Sequence, residues 1–180
     1  MKSAERIDDQ TVRFKRLFDA SKEQVWSYLV EGEKRSMWLC GGEWELKPGG
    51  RAPMHFDNPS LSRDDDLPPP RYADETGSVI HEGQIQQINA PHRLVLLWVE
   101  HDGSRSEVTF ELIEQEEKTL LTLTHCKLTS EDMLSGVSAG WHAHLDIWLA
   151  VVSGETPPSF WSTFNALAMD VYGHKINDDG

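Results

Sequence analysis

Cysteine is scarce in this chain, and long apolar runs are missing from it. Two cysteines, Cys40 and Cys126, stand among 180 residues, too few and too far apart for a disulfide framework or a CxxC site. Cys40 has no base next to it in sequence, which predicts a buried, inert thiol. No apolar run has the length to cross a bilayer, and the opening residues MKSAERIDDQ lack the apolar core of a secretory signal. Basic side chains are outnumbered, 17 against 30 acidic, for a formal net charge of -13. A chain this acidic repels phosphate backbones and anionic headgroups, so neither nucleic acid nor a membrane surface is an expected partner. The expectation is a soluble, cytoplasmic protein. There is no nucleophile elbow, no phosphate-binding glycine loop and no internal repeat.

What is present reads as one α+β domain. Val12, Phe14, Arg16 and Phe18 alternate with Arg13, Lys15 and Leu17 as a first strand. Ser21 and Gln24 form a capping box ahead of a helix whose apolar stripe is Val25, Trp26 and Leu29. Residues 33–39 add a short helical turn anchored by Trp38. Residues 43–46 and 51–56 read as a hairpin turning on Lys47-Pro48-Gly49-Gly50. Residues 57–76, acidic and rich in proline, cannot join a sheet and read as a mobile, solvated surface loop, with a lid as the alternative. A meander of strands follows, at residues 79–88, 94–100, 107–113 and 120–127, whose short turns force antiparallel pairing.

The stretch from Leu121 to Gly154 carries the most information. An alternating strand with Leu121, Leu123 and His125 on one face leads into a long helix over residues 137–153, stopped by Gly154. Trp141, Leu145, Trp148 and Val152 make its apolar seam, with His142 and His144 at opposite edges. Large aromatics and imidazoles on the buried edge of a helix predict a ligand pocket beneath it. After Pro157-Pro158, Trp161, Phe164, Ala168 and Val171 repeat at helical spacing. This second helix, at 158–173, has an apolar face that must dock against its own domain or against a second copy in a homodimer.

This order of elements, together with a set of local matches, resembles the START-like (SRPBCC) superfamily and its helix-grip fold, in the branch of activator of heat-shock-protein-90 ATPase homologues. The matches are Val25-Trp26, Trp38, the run from Leu46 to Arg51, Gly83 to Trp98 with its Asn-Ala-Pro-His-Arg-Leu turn, Leu123 to His125, and Gly140-Trp141 with Leu145. They cover residues 11–154. The resemblance implies a curved antiparallel sheet gripping the long C-terminal helix, with a cavity between them. The 57–76 loop and the 158–173 helix depart from the family pattern at the expected pocket mouth.

Five histidines are candidates for that cavity: His55, His81, His125, His142 and His144. Alternation groups His81 with Val79 and His125 with Leu121 and Leu123. The expected ligand-binding set is His125, His144 and His81 as polar anchors, with Trp98, Trp141, Trp148 and Phe110 as walls. No metal is expected, because the rings of His142 and His144 lie about 200° apart around a helix. No cofactor is expected either. The expected function is binding of a small apolar or aromatic molecule. The alternatives are a co-chaperone-like module that stimulates a chaperone ATPase, or a cyclase- or hydrolase-type enzyme using a pocket histidine. For the last, the sequence singles out no acid beside His125: Glu82, Glu100 and Glu107 lie in strands, and alternation turns most of them to solvent.

Overall fold

The computed structural model describes residues 3–63, 65–75 and 77–177; Asp64 and Thr76 of the 57–76 segment lie outside them. Eight strands run through these residues: β1 (Glu5–Asp8), β2 (Thr11–Phe18), β3 (Met54–Phe56), β4 (Val79–His81), β5 (Gly83–Asn89), β6 (Arg93–Val99), β7 (Arg105–Gln115) and β8 (Lys118–Cys126). The helices are α1 (Lys22–Val30), α2 (Gly32–Arg35), α3 (Glu131–Ser153) and α4 (Phe160–Leu167), and α4 runs on into a π turn at Ala168–Tyr172. Six strands form one antiparallel sheet in the order β1-β2-β8-β7-β6-β5, and β3 pairs with β4 in a small second sheet. The long helix α3 lies across the large sheet as expected.

Alternation sets the register and the register sets the core. Val12, His125, Val108 and Leu96 pair across four strands, and Phe14, Leu123, Phe110 and Leu94 form the next row; all are buried. Ser21 Oγ accepts from the Gln24 amide at 3.2 Å and starts α1. Gly154, at φ +73°, ends α3. The helix begins six residues before the sequence expectation, because Ser130 caps it by accepting from the Met133 amide at 3.1 Å. That capping signal sits in a polar stretch with no apolar periodicity to announce it.

Three expectations need correction. Residues 43–46 form no strand; Glu45 makes one backbone bond to Arg51, and the chain is held instead by the indole of Trp44, which donates to the Pro53 carbonyl. The single strand expected at 79–88 breaks at Glu82, so that β4 leaves the large sheet and pairs with β3. The 57–76 segment is not simply solvated. It carries two short 3-10 turns at Asn58–Leu61 and Pro70–Tyr72. Ser62 Oγ accepts from the Trp161 amide, Asp66 accepts from Ser159 and Ser162, and the Tyr72 ring packs edge-on against Phe164. The segment and α4 cover each other, and α4 also packs on α3, so Trp161, Phe164 and Ala168 of the extension are buried within their own chain while Val171 is exposed.

Arg35 is fully buried, and among the described residues no carboxylate forms an ion pair with it, although the Glu43 charge acts on it from the surface. Its guanidinium donates to the carbonyls of Leu29 and Val30 at the end of α1 and to those of Cys40 and Gly42, and it stacks on the Trp44 ring at 3.6 Å. Arg35→Met should lower unfolding free energy by roughly 3 kcal/mol or more, since it orphans the buried carbonyls of Leu29 and Cys40 and the half-buried ones of Val30 and Gly42; urea unfolding checks this. Truncation after Glu155 removes Phe160, Trp161 and Phe164, all buried, and should cost roughly 3 kcal/mol or more, read as a lower midpoint in the same assay.

Candidate ligand site

A cavity of about 170 Å³ lies between α3 and the end of the sheet where β4, β6 and β8 meet the loops. Five of the seven expected residues line it: His81, Trp98, His125, Trp141 and His144. Two do not. Trp148 lies two helical turns beyond Trp141, where the Trp38 ring stacks on it at 3.9 Å and Phe18 at 4.9 Å, filling the space the cavity would need. Phe110 sits one row deeper in the sheet, with its ring edge-on to Trp141 at 5.9 Å; it supports the wall without facing the cavity. His55 is exposed, and His142 turns to the other side of α3, where it meets the Tyr172 hydroxyl at 2.8 Å.

The floor is a chain of hydrogen bonds with one direction. An indole N–H can only donate, so the bond from Trp141 Nε1 to His125 Nδ1, at 2.9 Å, leaves that nitrogen without a proton. The imidazole proton is therefore on Nε2, 2.6 Å from Ser106 Oγ, and the Ser106 hydroxyl in turn lies 2.5 Å from Glu100 Oε1. His125 Nε2 is also within 3.2 Å of the same carboxylate oxygen. Burial opposes ionisation of Glu100, but the hydrogen bonds from His125 and Ser106 outweigh it and hold the carboxyl below its usual range.

Glu100 and Ser106 are the residues that the sequence reading missed. The signal for Glu100 was available: Leu94, Leu96 and Trp98 alternate inward, and Glu100 continues that parity one step past the strand. Ser106 lies opposite Trp98 in the β6–β7 ladder, a placement that only the register reveals.

Two further histidines have their tautomers set by backbone carbonyls, which can only accept. His144 Nδ1 donates to the Trp38 carbonyl at 2.8 Å, and His81 Nδ1 donates to the Val99 carbonyl at 3.3 Å. Each keeps a bare Nε2. Leu39, Phe56, Val79 and Val137 supply apolar wall, and Gly140 leaves α3 without a side chain at this point. A wider and more polar hollow of about 560 Å³ adjoins it, sharing Asn58, Glu75, Glu100, His101 and Val137 and reaching Arg71, Asp132 and His174.

Chemically, the floor can accept a hydrogen bond or a proton at Glu100. It cannot present Ser106 as a nucleophile, because that hydroxyl is 1% exposed and is engaged by both neighbours. Among the described residues no group of three or more His, Cys, Asp or Glu is placed to hold a metal ion, and no helix is long and apolar enough to cross a membrane. Cys40 is buried, and burial pushes its thiol up to about 12.

The family described as Activator of Hsp90 ATPase homolog 1-like protein matches residues 19–152. Among solved structures, a protein of Bordetella parapertussis is 34% identical, covering 97% of this chain and 91% of its own, with a TM-score of 0.79. CalU16 from Micromonospora echinospora is 23% identical over 95% of this chain and 92% of its own, TM-score 0.65. DynU16, from the dynemicin biosynthetic locus, is 17% identical over 83% of this chain and 49% of its own, TM-score 0.62. These last two likenesses concern the fold. No curated protein matches the chain.

Burial pushes the imidazoles of His142 and His144 down to about 4, with the Arg16 guanidinium adding to the effect at His142. In the unfolded chain each titrates near 6.5. Between those values the unfolded chain binds more protons, so stability falls as pH drops from about 6.5 towards 4 and this contribution levels off below. The part due to His144 is on the order of 2 kcal/mol. Urea midpoints of the wild type and His144→Phe, compared between pH 7 and pH 4.5, should show a smaller acid loss in the variant.

Proposed function

Because the chain belongs to the family of Activator of Hsp90 ATPase homolog 1-like proteins, a START-like branch with the helix-grip fold, we propose that it binds a small apolar or aromatic molecule in the cavity beneath α3. The observation that carries this reading is an open cleft of about 170 Å³ walled by Leu39, Phe56, Trp98 and Trp141, with His125 and Glu100 at its floor. An apolar cavity of about 150 Å³ is enough to take up benzene, so this one suits a molecule of one or two rings, with the adjoining hollow as its approach.

The composition of the wall supports the same reading. Trp98 and Trp141 meet edge-to-face at 5.5 Å, and Phe56 lies 5.8 Å from Trp98. Flat apolar faces gather round a few polar groups on the floor, the usual makeup of a small-molecule site. His125, His144 and His81 are the anchors in this proposal, joined by Glu100; Trp98 and Trp141 are the walls.

Gly140 offers a test. A Cβ added there meets nothing within 4 Å, so Gly140→Leu should enter the cavity from α3 and reduce its volume, while Gly140→Ala should raise stability by up to about 1 kcal/mol. Native mass spectrometry on protein purified without detergent should show an added mass that disappears on denaturation. The same species should be absent from Gly140→Leu. A bare wild-type mass, together with identical displacement of an apolar dye by both proteins, would remove the proposal.

A further inference from the structure

We propose that the cavity selects molecules that donate hydrogen bonds, phenols or amines carried on an apolar ring, and rejects carboxylates of the same shape. This inference rests on the reading of the cavity as a ligand site and names the class of molecule it takes.

The argument is one of proton bookkeeping at the floor. Trp141 donates to His125, the remaining proton of His125 faces Ser106, and the Ser106 hydroxyl faces Glu100. Every donor in this chain is used inside it, and the chain ends on a carboxylate. One oxygen of Glu100 receives these bonds, while the other has no protein donor among the described residues and belongs to a side chain that lines the cavity. His144 and His81 spend their ring protons on the carbonyls of Trp38 and Val99 and turn bare nitrogens away from them. Glu75, whose carboxylate lies 3.7 Å from His101, lines the same space.

The fixed polar groups are thus acceptors, two of them acids. The wall also carries donors, the indole of Trp98, the amide of Asn58 and the ring of His101, whose Nε2 faces the Glu75 carboxylate. A neutral donor serves a phenol oxygen as well as it serves a carboxylate, and one such bond does not offset the approach of an anion to two acids in a space of low polarity. A donating ligand gains hydrogen bonds from acceptors that border the cleft, whereas a carboxylate offers them no proton. Burial also holds His81 and His144 below the ordinary imidazole range, so they remain acceptors at neutral pH.

The test is a titration at pH 7 with three probes of one shape: 4-ethylphenol, ethylbenzene and 4-ethylbenzoate. Binding is read from the indole N–H resonances of Trp98 and Trp141. The expected order is phenol, then hydrocarbon, then benzoate, with the phenol at least about tenfold tighter than the benzoate. Glu100→Gln should bring phenol and benzoate closer together, and dispersed indole N–H resonances of Trp98 and Trp141 in the unliganded variant show that its cavity is intact. Equal binding of all three probes, or a preference unaltered in both Glu100→Gln and His144→Phe, overturns the selectivity and leaves the ligand reading standing. Binding of none of the three overturns both.

Discussion

The structure depends on one buried cation. Arg35 has no carboxylate within the core to neutralise it, so its charge is dispersed over backbone carbonyls and the face of Trp44. Burial lowers the affinity of the group for its proton, yet a guanidinium stays charged, and the chain must therefore wrap around it. The wrapping ties the end of α1 to residues 40 and 42, and thereby fixes Trp38 and Leu39 between them. From that segment come three parts of the site. Leu39 forms cavity wall, the Trp38 ring stacks on Trp148 and closes the far end, and the Trp38 carbonyl holds His144. A group far from any ligand sets the tautomer of a residue that would touch one.

The same logic governs the floor. His125 lies within reach of a serine and an acid, a set of side chains associated with acyl transfer. Its geometry is different. In a nucleophilic triad the serine and the acid engage opposite nitrogens of the imidazole, so that the proton can pass from one side to the other. Here both Ser106 and Glu100 sit at Nε2, and Trp141 occupies Nδ1 with a donor. Protonation of Nδ1 would set two N–H groups against each other. The network therefore directs the N–H of His125 Nε2 away from Trp141 and makes Glu100 the only member with acceptor capacity towards the cavity.

Much of this fold was legible in the sequence because it rests on local periodicity. The alternation of Val12 to Phe18 and Leu121 to His125, the seam of α3 and the stop at Gly154 all carry their own signal. What failed to show depends on distance along the chain. The packing of Trp38 against Trp148 joins residues 110 positions apart, and it removed Trp148 from the cavity. The split of β4 from β5 follows from pairing with β3 across a long insertion. Ser106 came into the site through ladder register, and Glu100 through parity one residue past a strand end. Five of the seven expected residues line the cavity because inward parity on β4, β6, β8 and α3 is local, whereas depth along an element is not.

The 57–75 segment and the C-terminal extension shape the same feature. The 57–75 segment and α4 hold each other through Ser62, Asp66 and the ring of Tyr72, and α4 brings Phe160 to within 4.5 Å of the His144 ring. His174 joins them, with Tyr72 at 2.7 Å on one nitrogen and Ser135 at 3.0 Å on the other, and Arg71 pairs with Asp132 on α3. The polar hollow outside the cavity is built from these contacts. Its arginine is bound to an acid, and Glu75, Glu100, Asp102 and Asp132 all border it. In the proposed selection an anion crossing that space meets these carboxylates before it meets the floor, while a neutral or cationic ring meets no like charge from them. The extension and the insertion thus place at the mouth the same polarity that the sheet and α3 place at the base.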